Sequence, residues 1–169
     1  MAPLSEVSVP PGSVLHKSLG SASFFDAYAA PLKRCELTPA EIFLQAARAT
    51  PDWVGHAMAI RNAIVSRLGL KDVGNMRPAA DRPGSDYRIG DRMGIFTVFA
   101  ADDRELVLGI DDSHLDVRVS VLKSVPSDEA HYVVSTVVHV KNWLGRLYML
   151  PVGRIHPFVV RAMMRRAAV

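Results

Sequence analysis

The chain has a single cysteine, Cys35, in 169 residues. One thiol forms no internal disulfide and supplies no cysteine metal cluster, and so sparse a use fits a reducing compartment. No uninterrupted apolar run approaches the roughly 18 residues that a membrane span needs. The opening MAPLSEVSVPPGSVLHKSLG lacks the basic start and apolar centre of a secretory signal. The expected location is the cytoplasm, without stable membrane insertion. An excess of one charge is missing too: 20 Lys and Arg stand against 17 Asp and Glu. The small surplus gathers in Arg161, Arg165 and Arg166. No basic stripe interleaved with aromatics and no zinc-finger spacing appears, so nucleic acid is not an expected partner. G-x-G-x-x-G, P-loop, G-x-S-x-G and H-E-x-x-H patterns are all absent, which removes the common nucleotide and hydrolase sites, and no cofactor is expected.

What is present is ordinary for a globular domain: 49% hydrophobic and 22% charged residues. The length suits one domain with a sizeable core. Residues 1–22 are rich in Pro, Ser and Gly without a clear period and read as an arm, irregular unless docked. Residues 23–169 read as the domain. SFFDAYAAPL (23–32) suits a first strand, placed at a sheet edge by Pro31. LTPAEIFLQAARA announces a helix, with Thr38 as N-cap, Pro39 in the first helical position and Glu41 closing a capping box. Thr50-Pro51 starts a second helix, with Val54, Ala57, Met58, Ile64, Val65 and Leu68 on one stripe and Gly69 as its stop. Residues 74–86 read as a loop. Four alternating segments follow, at about 87–100, 104–111, 114–124 and 131–142, the last two joined by PSDE, which implies an antiparallel meander. The tail is helical from about 144. Pro151, Gly153 and Pro157 should break it, leaving a continuous part over 155–167, with Leu147, Leu150, Ile155, Val159 and Met163 on one side.

The stretch GIDDSHLDVRVSV (109–121) is dense in chemistry. A two-residue turn at Asp112-Ser113 would pair Asp111 with His114 and Leu108 with Val117, sorting apolar residues to one face and Asp111, His114, Asp116 and Arg118 to the other. Pairing Lys123 with Tyr132 in the next strand then sets Asp116 opposite His139. Residues so opposed lie within about 5 Å at Cβ. An aspartate beside a histidine fixes its tautomer and favours proton uptake, as a general base needs. His139, Asp116 and Arg118 are therefore the candidate catalytic residues. The alternative is a solvated sheet face whose ion pairs imitate a site. No metal is expected at the Asp-rich turn, since such tips favour Asp for conformational reasons. His156 before Pro157 reads as a helix cap. Trp53 and Trp143 read as packing residues, and Asp91-Arg92 as a turn feeding a strand. HPFVVRAMMRRAAV is amphipathic and basic, but its apolar side is needed to cover the sheet.

The order of strand, two short helices, antiparallel meander and long final helix is that of the α+β helix-grip fold. The segments PAEIFLQAARATPDWV, YRIGDRMGIFTV, GIDDSHLDVRVSV and STVVHVKNWLGRLYMLPVGRIHPFVVRAM resemble the bacterial family catalogued as domain of unknown function 2867. Through it the chain resembles the START-like, polyketide-cyclase-like superfamily. The resemblance runs from about Phe24 to Arg166. It implies a hydrophobic ligand cavity between the sheet and the last helix, but no established activity. Related sequences also occur as the C-terminal part of short-chain-dehydrogenase-like proteins, so a separate partner of that kind is one expectation. The first functional expectation is binding of a small apolar molecule, with Tyr148, Tyr87 and Arg61 as polar anchors. The second is an enzyme of cyclase or hydratase type using His139 with Asp116. The third is a protein-interaction or homodimer module using the polar sheet face.

Overall fold

The computed structural model describes residues 4–67, 82–124, 130–167 and 169, and the backbone alone at 60, 61 and 63–67. The expected Gly69 stop, Leu68, most of the 74–86 loop and the PSDE connection lie outside the described residues. So do the side chains of Arg61, Ile64 and Val65.

The architecture is α+β. Seven antiparallel strands form one sheet: β1 (Ser5–Glu6), β2 (Phe24–Pro31), β3 (Arg92–Met93), β4 (Phe96–Ala101), β5 (Glu105–Asp111), β6 (Leu115–Ser124) and β7 (His131–Val140). Their spatial order is β1-β2-β7-β6-β5-β4-β3. Three α-helices accompany them among the described residues: α1 (Pro39–Arg48), α2 (Asp52–Arg67) and α3 (Trp143–Arg166). α1 starts as its sequence demands. The Thr38 hydroxyl accepts the Glu41 amide and the Glu41 carboxylate accepts the Thr38 amide at 2.7 Å. The inner face of the sheet carries Leu106, Leu108, Val119 and Val121 against Ile42, Phe43, Leu44 and Ala47 of α1.

The arm of residues 4–22 first extends the sheet and then crosses its outer face. It contains β1 and a 3-10 helix, Val14–Ser21, whose Leu15 packs with Val9, Ala27, Val107, Val133 and Val137 in a second apolar cluster. A buried carboxylate staples it there: Glu105 accepts the Ser13 hydroxyl at 2.6 Å and the Val14 amide at 3.0 Å.

Several expectations need correction. β2 is not an edge strand, because β1 and β7 flank it. The β5–β6 turn falls at Ser113-His114, with the Asp112 amide donating to Leu115 O at 3.0 Å. The register therefore moves by two residues, pairing Leu108 with Val119 and Asp111 with Asp116. A shift of two keeps every strand side chain on its expected face, but it frees His114 from the polar row. The β6–β7 register is the expected one, with Lys123 opposite Tyr132 and Asp116 opposite His139.

α3 is one helix with Pro151 and Pro157 inside it. Each interior proline costs about 3 kcal/mol, whereas burying a single Val or Met side chain returns about 1.5–3 kcal/mol. Met163 and Met164 are buried on the inward face, and seven more residues from Tyr148 to Val160 line the cavity there, so many partly buried side chains are set against the two interruptions. Leu147 and Leu150 do not share that face and are 53% and 56% exposed. Trp53 and Trp143 are exposed rather than packed, and His156 lies mid-helix rather than capping one.

Candidate functional site

The inner face of the sheet, α1, α2 and α3 line a cavity of about 290 Å³ that is partly open to solvent. Its wall follows alternate residues of β7 from Tyr132 to Val138, a run of about 20 Å at the strand rise. On α3 the wall recurs at helical spacing from Tyr148 to Met164, about 24 Å at 1.5 Å per residue. A modest volume over such a length is a narrow slot. Ile42, Phe43, Val119, Val134, Val159 and Met163 make most of it apolar.

Polar groups meet this slot at three stations. The first is the β5–β6 turn. His114 is 1% exposed and its ring forms part of the cavity wall. Its Nδ1 lies 3.5 Å from Asp112 Oδ2, and the Tyr148 ring stands edge-on to it at 5.3 Å and 84°. The turn is pinned by bonds that leave the imidazole unused. Asp112 Oδ1 accepts the Ser113 amide at 2.6 Å, Lys141 Nζ donates to Asp112 O at 2.9 Å, and Asn142 Nδ2 donates to Ser113 O at 3.1 Å. The Lys141 amide donates to His114 O at 2.9 Å. Gly145, in the first turn of α3, permits the contact. A Cβ there would stand 2.3 Å from His114 O.

The second station joins α3 to the sheet. His156 Nε2 lies 3.0 Å from Thr136 Oγ1 and 3.5 Å from Asp26 Oδ1, with the Phe24 ring edge-on at 5.8 Å. Asp26 and Thr136 are register partners on β2 and β7. Burial, with the nearby Asp26 and Glu6 charges, pushes the Tyr28 phenol up to about 12, while Arg161 over its ring acts the other way. The third station is Tyr132, whose hydroxyl has no hydrogen-bond partner among the described residues. Burial pushes it up to about 12, so it faces the slot as a neutral phenol.

The residues singled out from sequence separate into two groups. His139, Asp116 and Arg118 lie on the outer face, away from the slot. Asp116 Oδ1 pairs with Lys141 Nζ at 2.7 Å. His139 Nε2 lies 3.2 Å from Ser21 Oγ and 3.3 Å from Ser18 O, under the arm. Arg118 binds Asp111 at 2.7 Å and covers the Phe99 ring at 3.9 Å. Its hydrogen bond holds the Asp111 carboxyl below the usual range. It lies against Gly109, where a Cβ would come within 2.7 Å of the guanidinium. Tyr148 lines the slot. Tyr87 is buried beside Pro83–Asp86, beneath the Arg82 guanidinium at 4.5 Å, and does not line it. Arg61 belongs to α2, with its side chain outside the description. Among the described residues no three His, Cys, Asp or Glu side chains converge as a metal site. No described helix is long and apolar enough to cross a membrane.

Sequence reasoning passed over Asp26, Tyr132 and Thr136. A signal existed: Thr136 is the one hydroxyl in the row Val134, Thr136, Val138, and Asp26 the one charge in FFDAYAA.

Residues 18–163 match the model of the family described as a protein of unknown function (DUF2867). The chain belongs to this family. The matched span of this DUF2867 member takes in β2 through most of α3, and with them all three stations. No curated protein and no solved structure matches the chain.

Proposed function

We propose that this DUF2867 domain binds a small, narrow, largely apolar molecule lengthwise between the sheet and α3. The observation that carries the reading is the slot itself: about 290 Å³, walled by aliphatic and aromatic side chains, with the polar groups among the described residues gathered at three stations. Ligand pockets have this composition, a mostly apolar wall with few polar anchors. The volume sits at the low end of their size range, and the length of about 20 Å on the strand ruler favours a chain-like or narrow ring molecule. The adaptable Met149, Met163 and Met164 in the wall suit an irregular guest. The same arrangement supports a helix-grip, START-like assignment, with α3 gripping the ligand against the sheet. Of the anchors named from sequence whose side chains are described, Tyr148 stands in the wall and Tyr87 does not.

The test is titration with N-phenyl-1-naphthylamine, a neutral apolar dye whose fluorescence rises in a dry site. Saturable binding at one equivalent is expected, and Val119→Trp, which plants an indole in the slot, should abolish it. A wild-type protein that leaves the dye dark, or a Val119→Trp variant that is folded and binds it equally, rejects the proposal.

A cyclase- or hydratase-type reaction is the second reading. The observation favouring proton chemistry at the slot is the His114–Asp112 pair, because His139 lies under the arm and Asp116 pairs with Lys141 on the outer face.

A further inference from the structure

The β5–β6 turn is held by several hydrogen bonds, yet the side chain at its tip is left unspent. Asp112, Ser113, Lys141 and Asn142 hold the turn by hydrogen bonds, and the carbonyl of His114 takes the Lys141 amide. Only the imidazole is outside this network. Both ring nitrogens are buried without a hydrogen-bond partner among the described residues. The contact from Nδ1 to Asp112 Oδ2, at 3.5 Å, is too long for a hydrogen bond. A buried polar group without a partner is costly, and in a native protein it calls for an explanation.

The surroundings select the missing partner. Asp112 is buried, and its carboxylate stands on the Nδ1 side of the ring. A negative charge there keeps the ring proton on Nδ1, which leaves Nε2 as a lone-pair acceptor. Beside the imidazole in the wall are the Tyr148 ring and Leu115, its neighbour in sequence. A fully charged group would be stranded in such a lining, whereas a neutral hydroxyl needs only one acceptor.

We infer that His114 is the anchor for a hydroxyl group at one end of the bound molecule, so the ligand class is a narrow apolar alcohol, phenol or enol. The inference rests on the proposed apolar-ligand reading and adds to it the chemistry of one end. The hydroxyl donates to Nε2 beside the Tyr148 ring, and the apolar body extends along β7 toward Tyr132. Nε2 is covered in the structure, so the Tyr148 ring beside it must shift to admit the hydroxyl, while the backbone of the turn stays pinned by its own hydrogen bonds.

The test uses two isomers of equal size, 1-dodecanol and 1-methoxyundecane, each competing against N-phenyl-1-naphthylamine. In wild type and in His114→Phe the quantity read is the ratio of the two affinities, so general apolar binding cancels. The alcohol-to-ether preference should fall about tenfold in His114→Phe, the scale of one hydrogen bond to a buried acceptor. An unchanged ratio overturns the inference while leaving the apolar-ligand reading intact. If neither compound displaces the dye from wild type, the apolar-ligand reading fails, and the inference with it. Should His114→Phe not fold, nitrogen NMR of the wild-type imidazole decides. The Nε2 resonance should move on adding 1-dodecanol and stay still with 1-methoxyundecane, and equal responses to the two overturn the anchor.

Discussion

Gly145→Ala is a substitution whose sign the structure decides against helix propensity. Gly145 is the third residue of α3, its amide donating to the Asn142 side chain that caps the helix. On propensity alone, alanine in a helix is better than glycine by about 1 kcal/mol. Here a Cβ would come within 2.3 Å of the His114 carbonyl and 3.0 Å of Val140 Cγ1, where ordinary contact begins at 3.4 Å. The carbonyl is backbone, already accepting the Lys141 amide, so no side chain can swing aside. Helix and turn must part by about 1 Å, and overpacking of this kind costs about 1–3 kcal/mol. After the propensity gain, a net loss of up to about 2 kcal/mol is expected in urea unfolding at constant m. Gly153→Ala in the same helix is the control. Its nearest neighbours would be Met149 Cε at 3.7 Å and Phe24 at 3.8 Å, ordinary contacts. It should be neutral or stabilising by up to about 1 kcal/mol. The pair also separates function. Gly145→Ala moves the turn and should weaken the preference for 1-dodecanol, which Gly153→Ala should retain. A Gly145→Ala protein at least as stable as wild type would refute the close approach and the rigidity of the turn inferred from it.

Tyr132 is raised from 10.0 to about 12 in the folded state, so its contribution is intact below pH 10 and is lost as pH rises through that window. Two units correspond to about 2–3 kcal/mol at the upper end, and Tyr132→Phe should flatten the fall in stability above pH 10 in urea titrations. Thr38→Ala removes the capping box of α1 and should cost about 1 kcal/mol by thermal or urea unfolding. Met163 is 8% exposed and lines the slot. Met163→Ala should therefore fall near the low end of the 2–5 kcal/mol range for buried Met, because its slot-facing side has fewer atoms to lose.

The elements that sequence made legible are those whose signals are local. The capping box at Thr38 needs three residues. Alternation in β5, β6 and β7 sorted Leu108, Val119 and Val138 to one face whether or not the turn was placed correctly, because a shift of two preserves parity. What escaped depended on contacts between distant segments. Nothing local announces that Glu105 will take the Ser13 hydroxyl across 92 positions, or that Val14–Ser21 will lie on the outer face. The prolines of α3 are local breakers overruled by a long inward face. The candidate site failed to emerge for a sharper reason. His114 stands at a turn, where the alternation rule that placed Asp116 and His139 no longer applies. Lys141 and Asn142, just before a later helix, add their hydrogen bonds to that turn, and Gly145 lets the helix approach it.

The central claim is that the inner slot, and not the polar outer face, receives the ligand. Methyl NMR on the valines reads the two faces at once. Val119, Val134, Val138 and Val159 line the slot, whereas Val107, Val133 and Val137 pack under the arm. On titration with 1-dodecanol the first group should shift and saturate together while the second stays in place. Saturable shifts at Val107, Val133 and Val137 with the slot valines unmoved would contradict the account.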